Sequence, residues 1–414
     1  MSSLAWVASS EAERRRTLEV IRALADPATV DDLGLRRITI AISDVLFPGT
    51  TTIQTRARYF LLVPWLYLQL EKKTPIHNPG DRLRNLEAQL IDALVRGSGE
   101  GEVGIIGSER GAKTQRLPAE IYWNGLGAWG IRLYEGDYHR LLASADLTQT
   151  PRDEDGARLP GASSPRWDPA LPPAPADLLS SASMDLERHE ADYLLHRISL
   201  SAGDTVLADL AAIEHRLPAV AAAWELPPAI LDQLSPTSRE ALESAEMFSL
   251  AMHGAQLLYN LALCEEIGER VADAREKHER SWGEWTAELS RRERMLVTWS
   301  DQLQRFWDLA AGANPRIPSV RETDFISRWC RLLTTLSTAE LLRSAEASAL
   351  VKERERQAKG SNSRFFNMSA REAWEGSVAT ARPDFRWSLV QRLLSDLHCG
   401  LGHGFGNGDS LARA

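Results

Sequence analysis

The chain has 414 residues, 43% of them hydrophobic, with a net charge of −9. That is enough apolar material for a sizeable core in two or three domains. No apolar run of about 18 residues suggests a transmembrane helix, and MSSLAWVASSEAERRR lacks the apolar centre of a secretory signal.

Cys264, Cys330 and Cys399 are scattered and odd in number, which fits a reduced cytoplasmic chain better than a disulfide framework or a zinc site. Residues 1–150 hold 18 basic and 18 acidic side chains, so the whole charge deficit lies in the remainder. An acidic C-terminal part argues against wrapping nucleic acid there, and any phosphate contact belongs in the first 150 residues. Thirteen tryptophans are expected to anchor helix packing.

In chain order, residues 10–25 predict a helix with Leu18, Ile21 and Leu24 on one face, and 33–47 predict a second. Pro48-Gly49 breaks the chain. Thr51, with Gln54 three residues on, has the pattern of a capping box that restarts a helix, and Pro64 either kinks that helix or begins the next. Residues 79–95 predict another amphipathic helix. The glycine-rich segment 97–118 follows, and then LPAEIYWNGLGAWGIRLY reads as a short helix and a strand.

From Thr148 to Ala182 the chain is rich in Pro, Asp and Ala, the composition of a linker or long loop. Beyond it, Ser235-Pro236 places a cap and a first-turn proline. Ala245, Phe248, Met252, Ala255, Tyr259 and Ala262 form a helical packing seam, Gly268 interrupts, and a charged helix returns beside it. The tail from Gly402 is too polar to fold alone. The expectation is a mainly α protein. An N-terminal helical domain over 1–147, with a winged-helix-like element, precedes a linker at 148–182; a C-terminal helical domain covers 183–401 and a flexible tail 402–414.

On a helical wheel, Ile53, Ala57, Phe60, Leu61 and Pro64 cluster on one side, and Gln54, Thr55, Arg58 and Tyr59 on the other, with Arg56 on the flank. Leu62 falls on the polar side, so from there on no face is free for water and the helix is expected to be buried. Helix, Pro-Gly turn and polar-started helix are compatible with a helix-turn-helix, in which Gln54, Thr55, Arg56 and Arg58 meet DNA. Pairing of Arg56 and Arg58 with acids such as Asp44 or Asp31, pinning the turn, is the bland and favoured alternative. Arg110, Lys113 and Arg116 form a second basic candidate, the wing of a winged-helix module or simply a solvated loop.

GSERGAKT, Gly107 to Thr114, has the wrong loop length and the wrong Gly-Lys junction for a phosphate-binding P-loop. His189 and His196, and the two histidines of HCGLGH, lack the further ligands of a metal site. No nucleophile elbow, zinc-protease motif or paired catalytic carboxylate stands out, and no cofactor or metal is expected.

Three stretches, LFPGTTTIQTRARYFLLVPWLY (46–67), RLPAEIYWNGLGAWGIR (116–132) and DFRWSLVQRLLSDLHCGL (384–401), resemble an uncharacterised bacterial domain-of-unknown-function family, number 6361. The resemblance implies a defence-associated subunit whose partners include a helicase or a phospholipase-D-like nuclease; it carries over no catalytic residues. The function expected is therefore a non-catalytic adaptor of an antiviral complex, binding partner proteins, with nucleic acid as a second ligand of the N-terminal half. A stand-alone DNA-binding regulator is the alternative, and a hydrolase or nuclease with an unrecognised site the second.

Overall fold

The computed structural model describes residues 31–71, 78–97, 102–109, 114–138, 141, 165–374, 376 and 382–404. The expected helix at 10–25 and most of the tail lie outside them. The protein is mainly helical. Its helices are α1 (Arg36–Leu46), α2 (Tyr59–Glu71), α3 (Pro79–Gly97), α4 (Pro118–Ala128), α5 (Arg188–Ala202), α6 (Val206–Ala211), α7 (Pro228–Leu231), α8 (Pro236–Ile267), α9 (Ala272–Asp301), α10 (Leu303–Ala313), α11 (Val320–Thr335), α12 (Thr338–Arg343), α13 (Ala345–Lys359), α14 (Met368–Glu372) and α15 (Trp387–Gly400). Among the described residues no helix is long and apolar enough to cross a membrane.

No strand forms among the described residues; an isolated antiparallel bridge joins Arg132 to Trp167. The strand expected after α4 is reduced to that bridge, and no wing accompanies α2 or α4 there.

The chain divides into two compact units, one built from Met1–Ala41 with Ser244–Pro383 and the other from Ile42–Glu243 with Asp384–Ala414. This differs from the expected break at 148–182. Residues 165–182 are not a free linker. Asp168 N–H donates to Ile131 O at 2.8 Å and Leu133 N–H to Arg166 O at 2.7 Å. Pro172 O accepts from Trp65 Nε1 at 2.8 Å, and Trp167 and Leu178 are buried. Composition alone hides these long-range partners.

In the second unit, α2 is the spine and packs on α3 and α4, while α15 packs on α5 and α6. Tyr59 to Tyr67 and Leu70 are all buried, as the all-round apolar pattern predicts, with Pro64 inside the helix. Phe60 stacks on Trp129 at 3.7 Å between ring centres and meets Tyr122 edge-on at 5.0 Å.

In the first unit, α8 carries the predicted seam, buried from Ala245 to Ala262. At its start, in the stretch assigned to the second unit, Ser235 caps α8, accepting from Ser238 N–H at 3.2 Å. Trp285 on α9 and Trp329 on α11 donate their indole N–H groups to Leu250 O and Ala251 O of α8, at 2.9 and 2.7 Å. A Cβ at Gly254 would lie 2.2 Å from the Trp285 ring, so only glycine admits that indole. All twelve described tryptophans are buried, and Trp6 lies outside the described residues.

A buried polar cluster also ties this unit. Asp32 pairs with Lys359 and Arg364. Glu355 accepts from Ser363 Oγ and from Arg364 N–H, the latter at 2.7 Å.

Phe60 is fully buried with two aromatic neighbours, so Phe60→Ala is expected to destabilise the protein by about 3–5 kcal/mol. Chemical denaturation measures this directly; an unchanged midpoint contradicts the role of α2 as spine.

Candidate functional site: the junction of three sequence motifs

The three stretches that carry the family resemblance come together around residues 47–58, in a segment that is not helical. α2 begins at Tyr59 rather than at Thr51. Only the return half of the predicted capping box forms: Thr51 N–H donates to Gln54 Oε1 at 3.1 Å, and Gln54 Nε2 then donates to Gly49 O at 3.1 Å. Gln54 is thereby drawn inward and buried, while Ile53 is left exposed. The helical wheel assigned these two the opposite sides, because it assumed a helix where the backbone makes a turn.

Some backbone groups bond locally, Thr50 N–H to Phe47 O and Gln54 N–H to Thr51 O, and others find partners from distant elements. Tyr122 of α4 accepts from Thr55 N–H at 2.8 Å and Arg56 N–H at 3.1 Å, and donates to Arg56 O at 2.8 Å. Burial raises its hydroxyl to about 12. Asp396 of α15 accepts from Ala57 N–H at 2.8 Å, and Thr55 Oγ1 donates to Gly104 O at 2.6 Å. Gly49 adopts the left-handed conformation, φ +81°, where a Cβ would sit 2.6 Å from Trp129 Nε1. That indole donates to Pro48 O at 2.9 Å.

Both motif arginines are engaged internally. Arg56 Nε lies 3.0 Å from both Asp396 oxygens, and its Nη1 pairs with Glu102. Arg58 is buried; Nη2 donates to Glu190 Oε1 at 2.7 Å and Nη1 to Ser183 O at 3.0 Å. The pinning alternative is right in kind, but the acids are Glu102, Asp396 and Glu190 rather than Asp44 or Asp31. Asp44 instead pairs with Arg386 at 2.7 Å. Arg386 and Phe385 both have positive φ, 69° and 53°, where α15 begins, a conformation that costs about 1–3 kcal/mol per residue and persists only where the surroundings over-determine it. Asp44 holds Arg386 from outside, and Phe385 is buried edge-on to Trp224 at 6.1 Å.

DNA contact by Gln54, Thr55, Arg56 and Arg58 therefore lacks the exposed helical face on which it was founded. Arg116 is exposed, 3.8 Å from Glu120. Arg110 and Lys113 lie outside the described residues. His189 and His196 are exposed. Among the described residues no group of three or more His, Cys, Asp or Glu is placed to hold a metal ion.

A further titratable group does not stand out from the sequence motifs. Glu87 on α3 is fully buried, and its Oε1 accepts Ala119 N–H at 2.8 Å at the start of α4. Oε2 has no partner among the described residues. Burial drives its carboxyl up to about 7, opposed by the Ala119 hydrogen bond. The signal was present, since Leu83, Glu87, Leu90 and Leu94 share a three-and-four spacing, and a carboxylate on an apolar seam is conspicuous.

Two outcomes follow. Asp396→Ala strips Ala57 N–H of its acceptor and leaves Arg56 with Glu102 and Val103 O, and is expected to cost about 3 kcal/mol in a melting experiment. Retention of full stability contradicts the junction.

For Glu87, the folded carboxyl titrates above the unfolded one, so between about pH 4.5 and 7 only the unfolded state releases its proton. Stability is fully present below that window and declines as pH rises through it. Glu87→Gln is expected to flatten that decline in denaturation midpoints measured across the window; an unchanged slope refutes the assignment.

No curated protein matches the chain, and no solved structure does. A family model described as "Family of unknown function (DUF6361)" matches residues 1–400. The chain belongs to that family.

Proposed function

We propose that the protein is a non-catalytic adaptor subunit, docking a partner protein through a rigid turn between α13 and α14. The observation that carries this is the exposure of Phe366 and Met368, 62% and 71%, on a backbone held by several hydrogen bonds. Asn367 N–H donates to Ser363 O at 2.8 Å and its side chain to Ser361 O at 2.9 Å. Arg371 clamps Arg364 O and Phe365 O at 2.9 and 2.6 Å. The neighbouring Phe365 is buried against Tyr259. An apolar pair held out by ordered backbone loses little entropy on docking, the property of a binding anchor.

The surroundings favour an acidic partner. Between Lys352 and Arg371 six cations accompany two carboxylates. Of these, Arg354 is buried, Lys359 and Arg364 pair with Asp32, and Lys352 and Arg371 with Glu266; Arg356, 3.9 Å from Glu353, keeps its guanidinium exposed over the Phe366 ring at 5.0 Å. An apolar side chain flanked by carboxylates complements this surface.

In this reading the partners are products of a shared antiviral defence locus, a helicase or a phospholipase-D-like nuclease, as the family resemblance implies. DNA is then met chiefly by the partner, with Arg116 as the described basic candidate on this chain.

The test is co-purification of the tagged protein with the products of its neighbouring genes. The Phe366→Ser, Met368→Ser double variant is expected to lose the partner by about tenfold or more, with unchanged unfolding because both side chains face solvent. Undiminished recovery by the variant, or no neighbouring product bound by the wild type, overturns the proposal.

A further inference from the structure

The geometry points to a second binding site, independent of the docking turn: a cavity beside Arg58 that takes a small ligand bearing a primary ammonium next to a carbonyl, as at the amino end of a peptide chain. The cavity measures about 230 Å³ and is lined by Arg58, Leu62, Asp177, Ser181, Ser183 and Glu187, among others. That lies below the usual 300–1,000 Å³ of sites for drug-sized ligands, so the occupant is small.

The walls are pre-formed. A Cβ at Gly97 would come within 2.2 Å of Ala182 O, so α3 and the 175–183 segment touch backbone to backbone. Ala182 N–H donates to Ala93 O at 3.3 Å, and Arg96 Nη2 donates to Ser180 O at 3.2 Å. Site walls held this way lose little order on binding.

Charge selects the ligand. Arg58 is buried, and its pairing with Glu190 at 2.7 Å cancels both charges. Asp177 and Glu187, the latter 3.4 Å from His189, then leave the site net negative even with Arg96 of the wall counted, which repels a free anion and attracts an ammonium. Arg58 Nε–H has no acceptor among the described residues. It is buried without a partner, and a ligand carbonyl reached by a small shift of the guanidinium supplies one. The hydroxyls of Ser181 and Ser183 add further polar groups to the lining. An ammonium at the carboxylates and a carbonyl toward Arg58 is the arrangement of an N-terminal residue.

L-alanine amide is the probe, titrated calorimetrically into the full chain. Saturable binding at about the millimolar level is expected for a ligand of this size. N-acetyl-L-alanine amide, which lacks the ammonium, is expected to give no measurable binding. Asp177→Asn changes an exposed side chain, leaves unfolding unchanged, and is expected to weaken L-alanine amide about threefold to fivefold. Absence of saturable binding overturns the assignment, as does equal binding of the acetylated probe or an Asp177→Asn variant that binds like the wild type.

Discussion

The constraint on which the second unit depends is the irregular, partly buried backbone of residues 47–58. A chain that is neither helix nor strand leaves some of its N–H and C=O groups without local partners, and each one buried unpaired costs about 1–3 kcal/mol. Here the partners are side chains far away in sequence. Trp129 donates to Pro48 O, Arg386 donates to Thr50 O, Tyr122 serves Thr55 and Arg56, and Asp396 serves Ala57. Because those groups are satisfied, the chain can enter α2 at Tyr59 already inside the core, with apolar side chains on every face. The three motif stretches are thus one object in space. Each contributes a side chain that another needs.

Ion pairs in both units are arranged by the same logic. Arg56 meets acids from residues 102 and 396, Arg58 meets one from 190, and Asp32 meets cations from 359 and 364. Desolvation offsets much of the Coulomb attraction at such sites, so their weight lies in orientation. A misplaced segment would bury a charge without its partner, which is far more costly than losing an apolar contact. Internally neutralised arginines are also poor readers of phosphate. The side chains that remain available lie elsewhere, such as the exposed Phe366 and Met368.

What was legible in the sequence was whatever local spacing controls. The all-round apolar run of α2, the seam of α8, the Ser235 cap and the Gly268 break follow from periodicity and short-range capping chemistry. The start of α2 did not, because the capping-box pattern at Thr51 competes with tertiary hydrogen bonds that no local window contains. Gln54 honours half of the motif and then turns to Gly49 O. Residues 165–182 defeated composition for the same reason. Their Pro, Asp and Ala content resembles a linker, yet the segment is fixed by Trp65, Ile131 and Ala93, each more than thirty residues away. The acids that hold Arg56 and Arg58 were equally out of reach, since sequence shows that a charge needs a partner and not which one it has.

Glu87 shows how such a non-local demand enters an otherwise regular helix. A leucine at this position would complete the seam of Leu83, Leu90 and Leu94 and would remove a buried carboxyl. It would also leave Ala119 N–H, one of the first donors of α4, without the acceptor it has at 2.8 Å. The carboxyl therefore fixes where α4 begins against α3, at the cost of its own desolvation. That placement matters beyond the pair, because α4 carries Tyr122, the hydroxyl that satisfies Thr55 and Arg56. A shift of α4 by one residue would turn Tyr122 about 100° around the helix axis, away from the junction. The acid on the seam of α3 and the irregular segment before α2 are thus two ends of one positional requirement.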